Sequence, residues 1–120
     1  MKIRLDSIDS KIVKNNKTYT LLDNTKLNNL VVSKTILHPG QETTGHNHPG
    51  QEEVYQFTSG HGRMECYPED ISFDTFDVGP GDIVLIPDGD FHKVWNTTGY
   101  DIAGYGDLEF ICVFDGGRNH

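Results

Sequence analysis

The stretch GHNHPGQEEVYQFTSG, residues 45–60, decides how this chain is read. His46 and His48 are two apart, so in an extended segment they point the same way. Their Cα atoms would then lie roughly 6.5–7 Å apart, a spacing at which two imidazoles converge on one ion. Five residues on, Glu53 opens the run EVYQFTS. On a strand Glu53, Tyr55 and Phe57 share one face, and Val54, Gln56 and Thr58 share the other. Glu53 therefore begins a face that is otherwise aromatic. A carboxylate there needs a partner, because a buried unpaired charge is costly, and a metal ion is one such partner. Glu52 faces the opposite way and is expected in solvent.

A second segment, GDIVLIPDGDFHKVWN (residues 81–96), places His92 just after a turn, at the start of another strand, on one face with Val94 and Asn96. Outward from these segments the pattern is uniform. No helical apolar stripe free of Gly or Pro runs for twelve residues, whereas short strand signals recur at about 8–12-residue spacing. They fall at 17–23, 29–38, 53–59, 63–68, 72–78, 82–87, 91–96, 102–106 and 108–114. Gly-, Pro- and Asp-rich turns separate them, which is the pattern of an all-β sandwich or barrel. The GHG at 60–62 reads as a hairpin turn between the runs on either side. The first ten residues and the last six are expected to be partly loose.

A chain of 120 residues with 35% hydrophobic content is one domain with a real core. The net charge of −8 argues against nucleic acid as a partner. Seven of the ten basic residues lie in the first 34 positions, so an anionic substrate would find few cations near the histidines. No apolar run approaches a membrane span and no leader-like segment opens the chain, so a cytoplasmic protein is expected. Cys66 and Cys112 lack metal-type spacing and read as buried thiols, with a disulfide left open.

Two patterns carry a resemblance. Residues 40–60 read G-x5-H-x-H-x4-E-x6-G, with Gly40, His46, His48, Glu53 and Gly60. Residues 81–96 read G-x5-P-x-G-x2-H-x3-N, with Gly81, Pro87, Gly89, His92 and Asn96. In order and spacing they resemble the two motifs of the cupin superfamily. The resemblance implies a double-stranded β-helix, or jelly-roll barrel, with residues 1–120 as a single cupin domain. It also implies that His46, His48, Glu53 and His92 bind one divalent transition metal inside the barrel. Fe, Mn, Ni, Co, Cu and Zn all suit three imidazoles and a carboxylate. Gly60, Gly62 and Gly81 would make turns, and Pro87 and Gly89 would deliver His92. Asn96 would satisfy backbone groups at a strand end.

Three functions are open at this level. Residues 52–64 and 81–99 also resemble the sugar-phosphate isomerase branch of cupins. That implies a hydroxy-carbonyl chelated to the metal and an isomerase or epimerase type of proton transfer through an enediol, with Glu53 and Tyr55 as the catalytic residues. Tyr55 would handle the proton or orient the substrate, although a barrel-lining aromatic is an equally good account of it. The alternatives are an Fe(II) or Ni(II) dioxygenase, or a metal-dependent lyase, and Tyr55, Phe57 and Trp95 would line an apolar pocket for it. Trp95, like Arg63 and Lys93, has outward parity. The third is a non-catalytic metal- or sugar-binding barrel. A small-molecule substrate and a homodimer are the expected partners, with the apolar face of residues 29–37 one place for the dimer contact. His38 is placed at the rim, and His61 and His120 in solvent.

Overall fold

The computed structural model describes residues 1–68, 74–98 and 106–117. Nine strands form in chain order: β1 (Ile12–Asn15), β2 (Tyr19–Asn24), β3 (Leu30–Leu37), β4 (Glu53–Ser59), β5 (Gly62–Tyr67), β6 (Thr75–Val78), β7 (Ile83–Ile86), β8 (Phe91–Asn96) and β9 (Leu108–Asp115). No helix among the described residues is long and apolar enough to cross a membrane. The strands make two antiparallel sheets, one ordered β1-β2-β3-β9-β4-β7 and the other β6-β5-β8. Residues 41–46 run beside β8 through the bridges Glu42–Trp95 and His46–His92, which lengthens the smaller sheet at that edge. The result is an all-β jelly-roll barrel.

Alternation explains most of the strands. In β4 the burial runs buried, exposed, buried, exposed, so Glu53, Tyr55 and Phe57 turn inward while Val54 and Gln56 face out. The core lies between the sheets. Phe57, Phe110, Leu37, Met64, Leu108 and Val94 are its most enclosed apolar members. Each large side chain removed from water in this way contributes about 1.5–3 kcal/mol.

Several expectations are corrected. The GHG segment does not close a hairpin, because β4 and β5 lie in different sheets. Both edges of β4 are already occupied, by β9 and β7, so the chain must cross to the other sheet at Gly60. Gly60 has φ +83°, and a Cβ there would overlap the Asp107 carbonyl. Only glycine allows both. Gly62 is not part of the turn but the first residue of β5. The strand β1 had no clear signal, since all four of its residues are exposed. The strand expected over 102–106 lies largely outside the described residues, as do the first two residues of the one expected over 72–78, and His120.

The first ten residues are mostly exposed but are anchored at Ile8. They drape over the outer face of β2, β3 and β9, where Ile8 is 1% exposed and packs with Leu22 and Ile111. Asn24 Nδ2 donates to the Ile8 carbonyl at 2.8 Å, and Ser10 Oγ donates to the Asp23 carbonyl. Beneath this cover Lys34 Nζ pairs with Glu109 Oε1 at 3.1 Å and donates to the Asp6 carbonyl at 2.6 Å. The N-terminal segment thus covers part of the apolar face of β3 at Val32 and Ile36, while Leu30 stays exposed. Exposed apolar side chains also lie on β4 and the edge strand β7, at Val54, Ile83 and Leu85.

Asn96 fastens the far end of the barrel. Its Nδ2 donates to the carbonyls of Leu37, His38 and Gly106 at 2.8–3.1 Å, and its Oδ1 accepts from Thr98 N at 2.8 Å. Asn96→Ala leaves buried backbone groups from three segments without this partner, at an expected cost of about 2–3 kcal/mol. Urea denaturation of the two proteins measures it, and a loss below about 0.5 kcal/mol would mean that water replaces the amide without penalty.

Candidate metal centre

Four side chains meet where the 41–48 segment, β4 and β8 come together. His46 is held by the bridge to β8, with His46 N donating to the His92 carbonyl at 3.1 Å and His92 N returning the bond at 2.9 Å. The loop after His48 is pinned twice. Gln51 N donates to the His48 carbonyl at 3.0 Å, and Gly50 N donates to Asp88 Oδ1, in the turn before β8, at 2.6 Å. Glu53 opens β4 and His92 is the second residue of β8.

One donor atom from each of His46, His48, Glu53 and His92 lies within 4.8 Å of the other three. The imidazole centroids of His46 are 4.6 Å from His48 and 4.5 Å from His92. Glu53 Oε1 stands 3.7 Å from His48 Nε2 and 3.6 Å from His92 Nε2. Glu53 and His92 are buried, His48 is half-buried and His46 is exposed, so the cluster runs from the interior to an open side.

Two of the rings are oriented by the backbone. His46 Nδ1 is 3.0 Å from the Thr44 carbonyl, and His92 Nδ1 is 3.1 Å from the Asp90 carbonyl. A carbonyl only accepts, so in each ring Nδ1 carries the proton and Nε2 presents its lone pair, which is the arrangement of a metal-ligating histidine. His92 Nε2 is buried and makes no hydrogen bond among the described residues. An acceptor left in that state costs free energy, and a cation placed among the four donors would offset it. The residues present therefore fit one divalent metal ion.

The cluster borders a cavity of about 340 Å³, with His46, His48 and Glu53 on its wall. Tyr55 also lines it, edge-on to His92 with centroids 5.7 Å apart, and stacks on Phe110 at 5.0 Å. Phe114 and Cys112 complete this apolar side. The rest of the lining, from β2 and the residue before it, β3 and the 41–44 segment, is mostly polar: Thr18, Tyr19, Thr35, Glu42, Thr43 and Thr44, with Leu21 among them.

Of the residues singled out in the sequence, Tyr55 lies at the cavity. Phe57 sits in the core against Phe110 and does not line it. Trp95 faces outward beneath the Lys93 ammonium, which also binds Glu42 Oε1 at 3.3 Å. Arg63 is outward too, paired with Asp77 at 3.0 Å. His38 is bound to Asp107 and to Thr20, each at 3.2 Å, and takes no part in the cluster. Both cysteines are free thiols. Cys66 stands opposite His92 in the β5–β8 register. Burial, with the carboxylates of Asp90 and Asp74 nearby, pushes its thiol up to about 11, so it stays protonated and weakly nucleophilic at neutral pH.

Sequence reasoning missed the threonine side of the cavity, because its residues come from three separate segments with no shared motif. It also missed Gly45, where a Cβ would overlap the Phe91 ring that packs against the ligand loop. A glycine immediately before the first histidine was the available signal.

The cupin domain family model matches residues 33–114. A deletion mutant of Bacillus subtilis oxalate decarboxylase superposes with a TM-score of 0.78 at 23% identity, over 95% of this chain and 30% of that one. A Bacillus subtilis oxalate decarboxylase studied for its Mn(II) centres gives 0.75 at 20% identity, over 95% and 30%. Peruvianin-I, a cysteine peptidase from Thevetia peruviana latex, gives 0.75 at 17% identity, over 95% and 72%. The chain thus spans 30% of the length of these decarboxylases, and the likeness is one of fold. No curated protein matches the sequence.

Proposed function

Because the chain belongs to the cupin family, we propose that His46, His48, Glu53 and His92 hold one divalent transition metal and that the adjoining cavity is the active site of a small isomerase- or epimerase-type enzyme. The observation that carries this is the convergence of the four donor atoms, with His92 Nε2 buried and without a hydrogen bond. When bound, the metal supplies Lewis acidity that polarises a carbonyl oxygen and acidifies the neighbouring C–H.

The chain's own residues supply the rest. In this scheme Tyr55, buried on the cavity wall beside His92, first gives its phenol proton to solvent, and as phenolate takes a proton from one carbon of a hydroxy-carbonyl and returns it to the next. Stacking on Phe110 holds its ring still. Glu53, drawn into the ligand cluster, anchors the metal in this scheme and leaves the proton to Tyr55. The apolar side formed by Phe110 and Phe114 keeps water from the reacting carbons.

A second reading, a metal-dependent lyase acting on a small acid, draws on the fold shared with oxalate decarboxylase. The cavity wall opposes it, since no Lys or Arg side chain lines it among the described residues.

Elemental analysis of protein prepared with and without oxygen, followed by incubation with aldoses and ketoses in deuterated water, tests the proposal. About one metal per chain is expected, together with deuterium entry next to the carbonyl. Tyr55→Phe should lower the exchange rate about 100-fold or more, the scale of a general acid–base group, and leave the metal content unchanged. Oxygen uptake on iron would transfer the site to the dioxygenase class. A chain that takes up no metal even after reconstitution would leave only a binding barrel.

A further inference from the structure

From the composition of the cavity wall we infer that the substrate is an uncharged, polyhydroxylated hydroxy-carbonyl compound, a free sugar rather than a sugar phosphate or a dicarboxylate. The inference rests on the metal site proposed above and narrows its substrate class.

Charge is the first argument. A divalent metal with Glu53 and three neutral imidazoles leaves the centre with one net positive charge. Among the described residues the wall adds no Lys or Arg, and its only other carboxylate is Glu42. Two lysines that contact lining residues already have partners there. Lys93 is held by Glu42 and the Trp95 ring, and Lys14 lies over the Tyr19 ring at 5.8 Å. A phosphate ester entering this space would carry a second negative charge away from water without a partner, and such groups are ordinarily met by Arg or Lys.

Hydroxyl supply is the second argument. Thr18, Thr35 and Thr44 line the cavity, and their side-chain hydroxyls make no hydrogen bond among the described residues. Thr43 Oγ1 accepts from Val94 N at 3.0 Å and keeps its proton to donate. A hydroxyl both donates and accepts, so a row of them matches sugar hydroxyls and discriminates poorly in favour of an anion. Thr35 is the cross-strand neighbour of Phe110, so a ligand chelated at the open end of the cluster would meet hydroxyls beside the aromatic rings.

The test uses the full chain loaded with Co(II), whose visible spectrum reports its coordination. It is titrated with D-xylulose and separately with D-xylulose 5-phosphate, which share a chelating end and differ in the phosphate. The free sugar is expected to perturb the spectrum at concentrations equal to or lower than its phosphate. Thr35→Val, close in shape, should weaken the free sugar about three- to tenfold, the scale of one hydrogen bond, without altering the spectrum of the ligand-free protein. Tenfold tighter binding of the phosphate overturns the inference and leaves the metal site standing. So does a Co(II) spectrum that neither compound moves, or a Thr35→Val variant that binds the sugar unchanged. A chain that binds no Co(II) removes the metal site and the inference with it.

Discussion

Replacing His92 by alanine is expected to lower the affinity for a divalent metal by about 100-fold or more, beyond the range typical of an outer-shell change. Among the three histidines, His92 is the most buried and the most constrained. Its Nδ1 is tied to the Asp90 carbonyl, its backbone is locked to His46, and its Nε2 stands 3.6 Å from Glu53. Without it the remaining set is one buried carboxylate, a half-buried histidine and an exposed one. Two measurements separate loss of ligand from loss of fold. Calorimetric titration gives the affinity directly. Thermal melting with and without metal gives the stabilisation that binding confers, about 2.7 kcal/mol at 100 times Kd. The metal-free variant should melt close to the metal-free parent, while its metal-induced increment disappears. A variant that still binds one equivalent with parental affinity would place the ion elsewhere.

Phe110→Ala is expected to remove about 3–5 kcal/mol of folding stability, the range for deleting a buried aromatic ring. A domain of this kind has about 5–15 kcal/mol in total, so the variant would be near its limit. Phe110 is 2% exposed on β9 and packs against both Tyr55 and Phe57, with each centroid at 5.0 Å. The cavity left behind would open against Tyr55, so its ring should lose its fixed position as well. Urea denaturation reads the first effect, and near-ultraviolet circular dichroism of the aromatic bands reads the second. Phe110→Leu, which refills most of the space, should recover more than half of the loss. A cost below about 1 kcal/mol would show that the two sheets pack without this ring.

The legible parts of the structure are those written in local pattern. Alternation through residues 53–59 placed Glu53, Tyr55 and Phe57 on one inward face, and the structure keeps them there. The HxH spacing brought His46 and His48 to one side, and the turn at 88–90 brought His92 to meet them. Parity alone turned Trp95, Lys93 and Arg63 outward. What stayed hidden depends on pairing between distant segments. Nothing near Gly60 announces a crossing between sheets, because the reason lies in β7 and β9, which already fill both edges of β4. Ile8 is a lone apolar residue in a polar stretch. It is buried because the outer faces of β2 and β9 carry Leu22 and Ile111, which no window around Ile8 contains. The threonine wall is the same case, three segments meeting only after the barrel has closed.

The position of β9 has a consequence for how this architecture comes into being. It is the last of the described strands in chain order, yet it lies at the middle of the larger sheet, between β3 and β4. Until it arrives, β1–β3 and the β4–β7 pair are separate fragments, each with a raw hydrogen-bonding edge and half of an apolar core. Assembly is therefore governed by a single insertion that closes a loop of some seventy residues back to β3. Such long-range closure belongs to slow-folding topologies and prolongs the time in which sticky intermediates can associate. Yield on refolding should consequently be limited by dilution and temperature more than by final stability.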